Sequence, residues 1–82
     1  MIISVTKDDI KKGKRRSPWQ CPIGLSLRRN NFTSLYVNTV AITAGGNVYN
    51  VPRSAQRFIS KFDNKKPVKP FRFKLVKRVQ YV

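Results

Sequence analysis

The strongest constraint in this sequence is a change of period near its C-terminal end. Ala55, Phe58, Ile59 and Phe62 recur at i, i+3, i+4 and i+7, the spacing that lays apolar side chains along one face of an α-helix. Shortly afterwards Phe71, Phe73 and Leu75 alternate with Arg72 and Lys74, the two-residue repeat of a strand with one apolar and one cationic face. Pro67 and Pro70 in the segment between them suit neither period. A helix and a strand that each carry one apolar face must bury those faces against a shared core.

The rest of the chain supplies the other layers. Ile2-Ile3-Ser4-Val5 reads as a short strand. Thr6, with Asp9 three residues on, predicts a capped helical turn through Ile10 that stops at Gly13. Pro22 suits a first helical turn, so a helix is expected from Pro22 to about Arg29, with Ile23, Leu25 and Leu27 as its apolar stripe and Asn30-Asn31 as its stop. Residues 34–43 are rich in β-branched and aromatic side chains. They lead through Gly45-Gly46 into Val48-Tyr49-Asn50-Val51, a hairpin pattern. Its alternation slips near Asn38-Thr39, where a bulge or a break into two strands is expected. Ser54 or a residue near it is the expected cap of the last helix and Asn64 its exit, and the alternation of the final strand runs on through Val79 and Tyr81. The expected architecture is a single α+β domain over residues 1–82, a small two-layer sandwich in β-α-β-β-α-β order with both helices on one face of an antiparallel sheet. A ferredoxin-like arrangement is one solution. Residues 11–17 and 64–70 are expected as exposed basic connectors.

Composition narrows the chemistry. Among 82 residues there is no His and no Glu, one Cys and three Asp. The chain therefore cannot assemble alone a Ser-His-Asp triad, a Cys-His dyad or a zinc site. A non-enzymatic protein without cofactor or metal is the expectation. Cys21 has no partner in the chain, which favours a reducing, intracellular setting over a disulfide-stapled secreted one. The apolar start at Met1–Val5 is too short for a signal peptide, and no stretch of about 20 apolar residues is present to span a bilayer.

Charge is arranged in blocks. Eighteen Lys and Arg stand against three Asp, giving a formal charge of +15, well beyond the magnitude of about 2–8 that keeps a small domain dispersed. Residues 30–52 carry no charge, and the cations gather on either side of them. An anionic partner offsets the self-repulsion of such a chain, and nucleic acid is the commonest one. Three groups would have to cooperate. The first connector supplies Lys14, Arg15 and Arg16, with Lys11 and Lys12 before them. Arg53, Arg57 and Lys61, four apart, make a ridge on the last helix. Lys65, Lys66, Lys69, Arg72 and Lys74 follow, with Lys77 and Arg78 beyond. If six to ten cations reached phosphates, affinity would fall by roughly 10³–10⁵ between low and moderate salt.

Other features are read structurally. Trp19, Phe32, Tyr36, Tyr49 and Tyr81 lie off the core stripes and could stack on bases, although Trp19 beside Pro18 is better read as a lid at the core edge. Phe58, Phe62, Phe71 and Phe73 are assigned to the core. Cys21 is read as a small core residue in preference to a reactive thiol at a helix start. Gly45-Gly46 is read as a hairpin turn in preference to a phosphate cradle, and Asp8-Asp9 as complements of a helix dipole.

Taken together, Asp9-Ile10 with Gly13, Cys21-Pro22-Ile23-Gly24-Leu25, Val51-Pro52, Arg57-Phe58-Ile59, Phe62-Asp63-Asn64, Pro67-Val68 and Pro70-Phe71-Arg72-Phe73 resemble a group of small, functionally uncharacterised proteins of tailed bacteriophages. The resemblance covers most of the chain. It implies a compact α+β domain, a phage origin and a location in the host cytoplasm, and it transfers no site residue. The expected function is nucleic-acid binding, DNA or RNA, through phosphate contacts. The alternative is inhibition or modulation of a host complex that handles nucleic acid, such as a transcription, replication or CRISPR effector complex, by protein contact.

Overall fold

The computed structural model describes residues 1–78. It is an α+β protein whose elements follow in the order β1 (Ile2–Val5), α1 (Lys7–Lys12), α2 (Pro22–Arg29), β2 (Tyr36–Val37), β3 (Ala41–Ala44), β4 (Asn47–Asn50), α3 (Arg53–Asp63) and β5 (Phe71–Lys74). The continuation of the last strand to Val79 and Tyr81 lies outside the described residues.

Each helix begins and ends for a local reason. Thr6 Oγ1 accepts the Asp9 N–H at 3.2 Å while the Asp9 carboxylate accepts the Thr6 N–H at 2.9 Å, so α1 starts on a complete capping box. This helix runs to Lys12, beyond the single turn that the sequence suggested. Lys11 and Lys12 therefore belong to α1 and not to the connector. For α2, the Cys21 sulfur accepts the Gly24 N–H at 3.4 Å and Pro22 occupies the first turn. α3 is capped two residues before Ser54: Pro52 is the N-cap, without a side-chain cap bond, and Ser54 lies inside the helix.

Both long helices finish in the same six-residue closure. At α2, Phe32 N–H donates to Leu27 O and Asn31 N–H to Arg28 O; at α3, Lys66 N–H donates to Lys61 O and Lys65 N–H to Phe62 O. These are Schellman motifs, and the residue at the turning point is left-handed, Asn31 at φ 67° and Lys65 at φ 61°.

The expected single sheet is instead two. β1 and β5 pair antiparallel with Ile3 opposite Phe73 and Val5 opposite Phe71. β2, β3 and β4 form an antiparallel meander whose hairpin turns on Gly45 and Gly46, both at positive φ as a tight primed turn requires. The slip near Asn38-Thr39 is the break between β2 and β3, where Asn38 Oδ1 accepts the N–H groups of Val40 and Ala41. The chain beyond β5 stitches the sheets together. Leu75 N–H donates to Met1 O on one side, then Asn50 N–H donates to Val76 O and Arg78 N–H to Val48 O on the other. Two short sheets result because β1 is only four residues long and its partner must bend away to reach β4.

Helices α2 and α3 share one face of the β1–β5 pair. Ile3, Val5 and Phe73 on that face are buried with Ile23 and Leu27 of α2 and with Ala55, Phe58 and Phe62 of α3, and Phe71 packs against them at the edge. The Phe58 ring lies 4.7 Å from that of Phe71, within the range of favourable aromatic pairs. Ile42 and Val37 extend the same core into the second sheet.

Candidate nucleic-acid interface

Burial of the Ala55/Phe58/Phe62 stripe decides where the α3 cations go. Arg53, Arg57 and Lys61 stand on the opposite side of the helix and are exposed. Alternation in β5 makes the corresponding choice: Phe73 is buried, so Arg72 and Lys74 project from the outer side of the β1–β5 pair, away from α3. The two cationic rows of the C-terminal region thus occupy opposite sides of the sandwich. Lys65, Lys66 and Lys69 are exposed on the connector between them.

Lys14, Arg15 and Arg16 are fastened to one of these sides. The Arg16 N–H donates to Asp63 Oδ1 at 2.9 Å, and the Arg15 guanidinium lies 5.6 Å from the centroid of the Phe62 ring, a cation–π approach. The first connector is therefore held beside the last turn of α3, directly before Lys65 and Lys66 in the chain. The fold brings Lys14, Arg15, Arg16, Lys61, Lys65 and Lys66 to one end of α3, with Arg57 and Arg53 continuing along the helix. It does not bring Arg72 and Lys74 to that surface.

Acidic groups leave this surface largely uncompensated. Asp8 pairs with Lys12 at 3.2 Å on the exposed side of α1. Asp9 is buried, and Arg29 donates to both of its carboxylate oxygens and to the Ser4 carbonyl at 2.8 Å. Burial alone would raise the Asp9 carboxyl, but hydrogen bonds from Arg29 and Thr6 outweigh it and hold the carboxyl below its ordinary value. Among the described residues Lys12 and Arg29 are the cations that meet a carboxylate side chain. Arg78 is engaged differently, by Asn50 Oδ1 and the Val40 carbonyl.

A cleft of about 310 Å³ opens beside the Arg16–Asp63 contact, between the start of α2, β2 and α3. Pro18, Ile23, Phe58, Ile59 and Phe62 give it apolar walls, and Arg16, Asn38, Thr39 and Asp63 are among its polar lining. Tyr36 at 52% exposure also lines it. Trp19, expected as a lid, is 47% exposed. Its backbone is pressed against α2 at Gly24, where any Cβ would come within 2.6 Å of the Trp19 carbonyl oxygen. Its side chain stands outside the packed core. Cys21 is buried at the cleft wall, and burial pushes its thiol pKa up, which disfavours a thiolate and suits the core reading.

Comparison of the chain with protein-family models, with curated proteins and with solved structures finds no match.

No helix among the described residues is long and apolar enough to cross a membrane. Two features that organise the surface were not legible in the sequence, the Asp63 anchor of Arg16 and the Asp9 anchor of Arg29. Each joins residues far apart in the chain. The one sequence signal for either is Asp9 at the third position of α1, which marks the capping role and carries no sign of the ion pair.

Proposed function

We propose that this is a small, non-enzymatic, phage-type protein that binds nucleic acid through phosphate contacts centred on the C-terminal end of α3. The observation that carries the reading is the anchoring of the Lys14–Arg16 connector to Asp63 and Phe62. That contact holds the Lys14–Arg16 connector at the end of α3 that leads into Lys65 and Lys66, with few carboxylates to offset the charge. Phosphates spaced along a nucleic-acid strand would replace the counterions such a surface holds. Arg53, Arg57, Lys61, Lys65 and Lys66 serve as the main row and Lys14, Arg15 and Arg16 as the second. Lys69 extends the row along the connector, while Arg72 and Lys74 offer a separate contact on the far side.

Fluorescence anisotropy with labelled single- and double-stranded DNA and RNA across a salt titration tests this. A steep log–log dependence of affinity on salt is the expected result. Negligible binding at low salt, with a stoichiometric host protein recovered instead, would replace the reading with that of a host-complex modulator.

A further inference from the structure

Building on the nucleic-acid reading, we infer that the cleft between α2, β2 and α3 receives one unstacked nucleobase of a single strand, while Arg15, Arg16 and the neighbouring lysines hold the phosphates on either side. Volume comes first. At about 310 Å³ the cleft lies at the lower end of the ~300–1,000 Å³ range of small-ligand pockets, suited to a single planar ring system and too small for a base pair with its backbone.

Its chemistry is that of a base site. Pro18 and Ile59 offer apolar surface for a ring face, backed by Phe58 and Phe62. The polar groups are directional. Asn38 Oδ1 is occupied by the Val40 and Ala41 N–H groups at 2.7 and 2.9 Å, which orients the amide and leaves its NH₂ as a donor. Asp63 accepts the Arg16 N–H through Oδ1, and its second oxygen remains an acceptor. Asn38 and Asp63 both line the cleft, so it offers a donor and an acceptor, the two kinds of group that a nucleobase edge carries. A phosphate would instead meet the Asp63 carboxylate and apolar walls, so the phosphates belong at the rim with Arg15 and Arg16.

Charge selects the occupant. An apolar peptide side chain could fill the same walls, but the rim carries Arg15 and Arg16 on a +15 chain, and a polyanion with protruding flat apolar groups satisfies both features. A duplex keeps its bases stacked and paired, so the cleft discriminates against it.

The test compares, at one moderate salt concentration, a labelled single-stranded DNA 12-mer, an abasic 12-mer of the same phosphate count and a duplex. The intact strand is expected to bind about tenfold more tightly than the abasic one. Ile59→Trp, which fills the cleft from the α3 wall, should reduce the intact strand to the abasic level with the salt slope unchanged. Thr39→Trp, which crowds the cleft from an exposed rim position, is the second variant should Ile59→Trp misfold, and it should narrow the difference in the same direction. Equal binding of intact and abasic strands with a steep salt slope overturns the base site and leaves the phosphate reading standing. A preference for the intact strand that both folded variants retain places the stacking elsewhere and also overturns it. No binding of any oligonucleotide removes both readings.

Discussion

The Arg16 backbone N–H donates to the Asp63 carboxylate at 2.9 Å across 47 positions of sequence. Arg16 is itself left-handed, at φ 58°, a conformation that costs a non-glycine residue roughly 1–2 kcal/mol and needs a compensating contact. The bond to Asp63 is one such contact, so this acidic residue serves the basic surface by placing it.

Replacing the anchor should separate geometry from charge. Asp63→Asn keeps an oxygen acceptor for the Arg16 N–H and removes a negative charge, so affinity for an abasic strand, which makes phosphate contacts alone, should stay level or rise. Asp63→Ala removes the acceptor, and the Arg16 amide should then exchange with solvent several-fold faster. Hydrogen exchange of that amide in the two variants checks the assignment; equal exchange rates would show that Asp63 does not hold the connector.

The two faces of the sandwich should differ in their share of binding. The double charge reversal Arg57→Glu with Lys61→Glu should weaken nucleic-acid affinity by more than tenfold and flatten the salt slope. Arg72→Glu with Lys74→Glu, on the outer side of the β1–β5 pair, should have a smaller effect. All four side chains are exposed, so circular dichroism melts should stay within a few degrees of the parent. Anisotropy titrations of both double variants decide which side leads, and equal losses would mean that the strand wraps both.

The turning residue of the α3 closure can be improved. Lys65 sits at φ 61°, where glycine has no steric cost. Lys65→Gly should therefore stabilise the fold by about 1 kcal/mol, a rise in Tm of roughly 4–8 °C for a domain of this size. A thermal melt checks this, and the same variant should bind nucleic acid less tightly through loss of a cation.

Asp9 gives the fold a predictable response to acid. Its carboxyl is held below the ordinary value of 3.8, so the folded state favours the ionised form. That stabilisation is fully present above the ordinary value and is lost as the pH falls through the lowered one. Asp9→Ala should destabilise the protein by about 2–3 kcal/mol at neutral pH by removing the capping box and leaving Arg29 unpaired. Urea midpoints at neutral pH and at a pH well below 3.8 should fall closer together in Asp9→Asn than in the parent. An unchanged difference would assign the acid response to other groups.

Much of the local structure was readable in advance because it is decided within a few residues. The Thr6–Asp9 capping box, Pro22 in the first turn of α2, the Ala55–Phe62 stripe and the Gly45-Gly46 turn each depend on side chains one helical turn or one hairpin apart. The α+β class followed from the change of period between α3 and β5. Ser54 is a good cap residue, but Pro52 has the extended backbone at φ −66° and ψ 160° that leads into α3. The connector beginning at Lys11 lost its first two residues to α1 because nothing before Gly13 stops that helix.

The sequence by itself determined the helices, the hairpin and the excess of positive charge, since periodicity, capping and composition are properties of neighbouring residues or of their sum. Tertiary structure alone decided that the sheet divides in two and is bridged by Leu75–Arg78. It also decided that Arg72 and Lys74 turn away from the α3 cations, that Asp9 meets Arg29 and Asp63 meets Arg16, and that a cleft opens where α2, β2 and α3 converge. The physical reason is that strand partners and long-range ion contacts are set by how the chain returns on itself to bury one shared core, and no local pattern carries that information.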